Sequence, residues 1–300
     1  MIFALVAAAA LQPQAILTID PRHRLVEGVA TDGSTIFVSS VLDRQILACR
    51  ANSCRTIATL PVGLHPLGIA WDWGRGLLWI AADCPDVAGI KKCDRGALVA
   101  INRNGKMRAR LAPTATAFHP GDVFASQSGI FVSDSGNGQI LALLPRRPGL
   151  RAVNRAGDGK SAQGTTLTPS GTELVIADYS LGIGRVDLKT KVTSWLPHQE
   201  GRPLRGIDGL VRCGDQYLGI YNGGAISARI WSFRLRPGGI ERRELAEGMK
   251  LTDPTQIAYD GKRLLVVSDS GWDGVGKGEA TRQTGAQILS IPLSRDCRRL

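Results

Sequence analysis

Glu27, Gln163 and Asp208 are the side chains around which a chemistry can be built. Each offers oxygen, each is followed by a glycine, and each sits in an otherwise apolar run such as "VEGVATDG" (26–33) or "GIDGLVRCGD" (206–215). Two carboxylates gathered in a narrow space repel unless a cation lies between them. Hard divalent ions accept such ligands, so Glu27, Gln163 and Asp208 are expected to hold a divalent cation, Ca²⁺ foremost, or Mg²⁺, Mn²⁺ or Zn²⁺. The plainer alternative is that they are solvated or bonded to strand-end amides. His65 in "HPLG" and His119 in "HPGD" are candidate general bases beside Asp208, although His-Pro also makes a suitable turn. Asp122 and Gln256, and Asn222 at the end of "QYLGIYN", are the expected substrate contacts.

Residues so far apart in sequence meet only if the chain repeats. Six units align: "EGVATDGSTIFVSSV", "LGIAWDWGRGLLWIAAD", "GDVFASQSGIFVSDS", "QGTTLTPSGTELVIADY", "DGLVRCGDQYLGIYN" and "TQIAYDGKRLLVVSDS". Their first residues, Glu27, Leu67, Gly121, Gln163, Asp208 and Thr255, recur every 40 to 54 positions. Each unit is a strand, a turn and a second strand, and a third strand follows ("QILAC", "ALVAI", "QILAL", "IGRVDL", "RIWSF", "QILSI"). A fourth follows in five units. Period-2 alternation with four strands per repeat marks an all-β protein, a six-bladed β-propeller. The sixth unit lacks its fourth strand, while an orphan strand, "AILTI" (15–19), precedes the first. That strand is expected to complete the last blade and close the ring, which removes exposed sheet edges. Residues 11–300 then form a single domain.

Strand alternation places the starts of first strands and the ends of second strands on one face, here called the top. The six opening residues should therefore ring the mouth of the central channel. His23, His65, His119 and His198, in the connections leading into first strands, belong to the same face, as do Asp83, Asp134, Asp178 and Asp269. Turn aspartates are common for backbone reasons alone. Two enlarged top connections, 83–95 and 271–285, are places where specificity is often added to a rigid scaffold. The Gly-rich second one lacks the strand–loop–helix context and G-K-[ST] ending of a phosphate loop. No G-x-S-x-G elbow is present.

The formal charge of +11 is scattered over turns rather than gathered in one run, and aromatics are not interleaved with it. A solvated basic exterior explains this better than a nucleic-acid site, and none is expected. "MIFALVAAAA" (1–10) reads as a signal peptide without a basic start and is too short to span a bilayer. Six cysteines without paired C-x-x-C spacing suit a periplasmic or secreted protein. The expected disulfides are Cys49–Cys54, Cys84–Cys93 and Cys213–Cys297, the last joining the bottoms of neighbouring blades.

"EGVATDG", "SAQGTTLTPSGTELVIAD" and "GIDGLVRCGD" at successive blades resemble the gluconolactonase and regucalcin (senescence marker protein-like) family over nearly all of the mature chain. The resemblance implies a divalent metal held by a glutamate before Gly, an asparagine before Gly and an aspartate in a P-D-G-like turn. Glu27 and Asp208 match the glutamate and the aspartate. Gln163 stands in the asparagine's place, and Gly121 in that of a second asparagine that helps hold substrate. The implied function is an exported metal-dependent lactone or ester hydrolase acting on a small molecule at the top of the channel. The alternative is a non-catalytic propeller that binds a ligand or protein there, and strictosidine-synthase-like chemistry is a third, less supported option. Fold alone does not choose among them.

Overall fold

The computed structural model describes residues 13–85, 87, 90, 93, 95–114, 117–198, 201–224, 226–245, 251–275 and 285–293. The expected signal peptide, residues 1–10, and Cys297 lie outside them.

Among the described residues, 24 strands form six four-stranded antiparallel sheets arranged as propeller blades. A first strand, β1 (Gln14–Thr18), precedes blade one, which comprises β2 (Val26–Thr31), β3 (Ile36–Ser40), β4 (Gln45–Arg50) and β5 (Ser53–Thr59). Blade two is β6 (His65–Asp72), β7 (Leu77–Asp83), β8 (Ala97–Asn102) and β9 (Met107–Leu111). Blade three is β10 (Pro120–Ser126), β11 (Gly129–Asp134), β12 (Ile140–Leu143) and β13 (Arg151–Ala152). Blade four is β14 (Ala162–Leu167), β15 (Glu173–Asp178), β16 (Gly182–Asp187) and β17 (Thr193–Leu196). Blade five is β18 (Ile207–Cys213), β19 (Gln216–Tyr221), β20 (Arg229–Arg236) and β21 (Gly239–Glu244). Blade six has β22 (Ile257–Tyr259), β23 (Arg263–Ser268) and β24 (Gln287–Pro292), and β1 supplies its outer strand, with Gln14 opposite Ser290 and Thr18 opposite Gln287. The ring closes as the missing sixth outer strand implies.

Each blade is apolar on both faces because it is covered by a neighbour on either side. Six hydrophobic clusters accordingly fill the six blade interfaces. Phe37 of blade one stacks on Trp71 of blade two with ring centroids 5.2 Å apart, and Leu17, Val38, Leu47, Val267 and Ile288 seal the closing junction between blades six and one. Burial of this kind contributes roughly 25 cal/mol per Å² of apolar surface, so the blade junctions hold the ring together.

Cys49–Cys54 and Cys84–Cys93 are disulfides with Cα separations of 4.0 and 5.7 Å. Cys213 is disulfide-bonded as well. No helix of the described residues is long and apolar enough to cross a membrane.

Candidate functional site

The innermost strand of a blade is special because six of them converge on one axis. In blades one to five its pairing slips at the residue that opens the repeat: between Val26 and Val29, Pro66 and Ile69, Pro120 and Asp122, Ala162 and Thr165, and Ile207 and Leu210. A β-bulge re-aims a side chain out of the alternating pattern, so Glu27, Gln163 and Asp208 turn toward the channel mouth instead of a blade interface. Glycine follows in four blades because the inner backbones nearly touch. A Cβ on Gly28 would lie 2.5 Å from the Leu67 carbonyl oxygen, and one on Gly209 would lie 2.9 Å from the Ile257 nitrogen. Ser39 fastens the first junction: its Oγ accepts from Gly28 N and donates to Leu67 O, both at 2.7 Å.

All six repeat-opening residues line one top-face cavity of about 320 Å³, together with Ser135, Ser161, Tyr179, Asn222, Asp253 and Trp272. Glu27, Asp208 and Asp253 bring carboxylates to this lining, and among the described residues no Lys, Arg or His is in it. Burial pushes the Glu27 carboxyl well above the usual carboxylate range. The charge of Asp208 adds to this, and the bond from Trp272 opposes it. Asp208 is pushed up to about 6 by burial, with the Asn222 bond again opposing. A site that disfavours its own anions in this way favours a positively charged occupant.

Partners orient each group. Trp272 Nε1 donates to Glu27 Oε2. Asn222 Nδ2 donates to Asp208 Oδ2 and to the Pro254 carbonyl, both at 2.9 Å, while the buried Asn222 Oδ1 has no hydrogen-bond partner among the described residues. Gln163 Nε2 lies 3.5 Å from Ser161 Oγ, a donor contact at the limit of hydrogen-bond length. Tyr179 Oη donates to the Asn222 carbonyl at 3.2 Å. Trp272 is held from behind: it opens a short helix, α1 (Trp272–Val275), packed on Leu25, Val41 and Leu67. Asp253, at a left-handed φ of 45° that Asp tolerates better than most residues, accepts from Ser270 Oγ and Gly271 N at 2.7 Å and so fixes the start of this loop.

Of the three expected substrate contacts, Asn222 lines the cavity and Asp122 and Gln256 do not. They occupy the places that are glycine in the other four blades, and they lie deeper. Gln256 Oε1 accepts from Val29 N at 2.8 Å and Ile69 N at 3.3 Å, and its Nε2 donates to Asp122 Oδ1. Asp122 Oδ1 also accepts from Val123 N at 2.8 Å, and burial pushes its carboxyl up to about 7. The pair fills the channel beneath the cavity as a hydrogen-bonded plug.

Neither candidate histidine reaches the cavity. His65 is buried, with Nδ1 on the Val41 carbonyl at 2.7 Å, and burial lowers its pKa. His119 Nδ1 lies 3.2 Å from both oxygens of Asp83. Both contact the connections between blades instead. Asp178 likewise caps backbone, accepting from Lys160, Ser161, Ser180 and Leu181 amides at 2.7–3.0 Å. Among the described residues, Asp83, Cys84 and Cys93 bring three metal-type ligand atoms close together, but the two thiols are spent in a disulfide. Sequence reasoning missed Trp272, Tyr179 and Asp253; the available signal was the enlarged 271–285 connection, which begins with a glycine and a tryptophan.

No protein-family model matches the chain, and no curated protein matches it in sequence. Among solved structures it resembles the PQQ-bound form of an aldose sugar dehydrogenase from Streptomyces coelicolor, at 15% identity and a TM-score of 0.62 over 93% of this chain and 96% of that one. An oxidoreductase described as a glucose dehydrogenase, from Thermus thermophilus, is similar at 16% identity and a TM-score of 0.62, covering 94% and 99%. A chain of a nidogen/laminin complex aligns at 14% identity and a TM-score of 0.57 over 71% and 77%. At such identities the likeness is one of fold, and what the chain shares with these proteins is the propeller.

Proposed function

We propose that this chain is an exported propeller that holds a divalent cation between Glu27 and Asp208 and uses it to hydrolyse a small lactone or ester. The observation that carries the reading is the pair of desolvated carboxylates at the mouth of a cavity whose described lining is acidic. The donors are all oxygen, with the Gln163 amide and the Asn222 Oδ1, unpartnered among the described residues, beside the two carboxylates. That chemistry suits Ca²⁺ or Mg²⁺ before Mn²⁺ or Zn²⁺. A bound cation of this class polarises a carbonyl and acidifies water. Asp208, oriented by Asn222, is the group placed to accept a proton, since His65 and His119 are engaged elsewhere. Tyr179 and Trp272 border the space left for substrate.

PQQ, which the Streptomyces coelicolor dehydrogenase binds, is an anionic quinone. The carboxylates of Glu27, Asp208 and Asp253 in the described lining do not suit an anion, so the sugar oxidation named for the fold neighbours is not proposed for this chain. The disulfide-bonded cysteines fit an oxidising compartment. The absence of a histidine from the cavity favours one second reading, a non-catalytic propeller that binds a small molecule at the same mouth.

Titration calorimetry with Ca²⁺, Mg²⁺, Mn²⁺ and Zn²⁺, followed by a lactone and aryl-ester panel with and without chelator, separates the readings. Glu27→Gln and Asp208→Asn should each weaken cation binding and abolish hydrolysis while the fold persists. Equal cation binding by wild type and the double variant overturns the cation site. Cation binding without turnover selects the binding propeller.

A further inference from the structure

We propose a second binding site, on the opposite face between blades one and two, for a doubly charged oxyanion of the phosphate or sulfate class. A cavity of about 410 Å³ there is lined by Thr35, Ala48, Arg50, Ser53, Arg55, Arg103 and Asn104. It is independent of the top cavity: no residue is common to the two linings.

The hairpin of β4 and β5 builds one wall. Arg50 pairs with Ser53 and Ala48 with Arg55, so the two-residue period of a strand puts all four on one face. Cys49 and Cys54, opposite one another, close the hairpin with a disulfide on the other face. Arg50 and Arg55 are thereby set on a diagonal, a repulsive placement for like charges, with the small Ala48 between them. The second wall is the turn after β8 that carries Arg103 and Asn104. It packs so tightly on the outer strand of blade one that a Cβ on Gly105, at φ +83°, would strike the Ile57 carbonyl.

Two of the three guanidinium groups, those of Arg50 and Arg103, are positioned before any ligand arrives. Arg50 Nε donates to Thr35 Oγ1 at 2.9 Å. Arg103 Nε lies 2.8 Å from Asp32 Oδ2, in contact as an ion pair rather than along a hydrogen-bond direction, and its guanidinium sits 5.5 Å from the Trp71 ring centroid. Held through Nε, both keep their terminal nitrogens unpartnered among the described residues, and Arg55 has no partner there either. Among the described residues Asp32 is the carboxylate paired with these arginines, and its other oxygen is taken by Ser34 and Thr35. Three arginines against one aspartate leave the site with a charge of +2, and its remaining polar lining is two hydroxyls and an amide. Arginine forks bind planar or tetrahedral oxyanions through paired charged hydrogen bonds, and pre-orientation lowers the entropic cost of binding.

Calorimetric titration of the full-length protein with inorganic phosphate, sulfate and phenyl phosphate, against chloride at matched ionic strength, tests the site. Saturable binding near or below about 1 mM is expected. Arg50→Gln and Arg55→Gln should each weaken it roughly tenfold or more, the size of losing a charged hydrogen bond, with the unfolding temperature unchanged. Glu27→Gln should leave it intact, which keeps this result separate from the fate of the cation site. Tighter phenyl phosphate identifies an ester as the ligand, and tighter inorganic phosphate or sulfate identifies the free ion. Binding that matches chloride, or persists in the Arg50→Gln/Arg55→Gln double variant, overturns the proposal.

Discussion

The amide of Gln256 donates to the carboxyl of Asp122 across the channel axis, joining blade six to blade three beneath the acidic cavity. The same glutamine accepts backbone amides from blades one and two, so one side chain ties four blades at the centre of the ring. Gln256→Leu fills a similar volume but strands those amides and the Asp122 carboxyl. Denaturant unfolding should report a loss of roughly 2–4 kcal/mol, the cost of leaving two or three buried polar groups unpaired. A loss below about 1 kcal/mol means that water replaces the amide.

Gly68 is the point of closest approach to that plug. A methyl added there would overlap the Asp122 carboxyl and come within 2.7 Å of its Cα. Gly68→Ala should therefore destabilise by roughly 1–3 kcal/mol or more, as overpacking does. In Gly74→Ala the new methyl has its nearest contact 3.5 Å away, at Asp72 Oδ1, so this surface change should stay within about 0.5 kcal/mol. Similar unfolding midpoints for the two variants refute the packing argument.

Asp122 has a sign to its pH dependence. Its folded pKa, about 7, lies above the ordinary carboxylate value because of burial. Between about pH 4 and pH 7 the folded state therefore binds more protons than the unfolded one, and stability falls as pH rises through that window. Asp122→Asn removes this contribution, so its unfolding midpoint should drop less than that of wild type from pH 4.5 to 7.5. The comparison with wild type cancels Asp32 and Asp43, whose lowered pKa values act in the opposite direction. Parallel pH profiles would show that Asp122 is ionised throughout.

Trp272 reports on Glu27. A cation bound to Glu27 must share or displace the indole bond to Oε2, so Ca²⁺ should change tryptophan emission. The change should vanish in Trp272→Phe, which should also bind Ca²⁺ a few-fold more tightly because one competitor for the carboxylate is gone. An emission change that survives this substitution places the cation elsewhere.

Much of this arrangement was legible in the chain before folding. The recurrence of Glu27, Leu67, Gly121, Gln163, Asp208 and Thr255 at spacings of one blade predicts the ring that lines the cavity, because strand alternation and hairpin connection are local rules repeated six times. The hairpin disulfide Cys49–Cys54 is equally local, and the closing strand, though it pairs with the far end of the chain, follows from the strand count of the sixth repeat. Contacts across the ring follow no local rule. Gln256 meets Asp122 from 134 residues away, and Trp272 meets Glu27 from 245. His65 and His119 share the top face with the anchors yet turn aside to Val41 and Asp83. Sequence placed each residue on a blade and a face. How deep its side chain sits, and what it meets across the axis, was decided only when six bulged inner strands closed on one another and left room for a polar plug below and a cavity above.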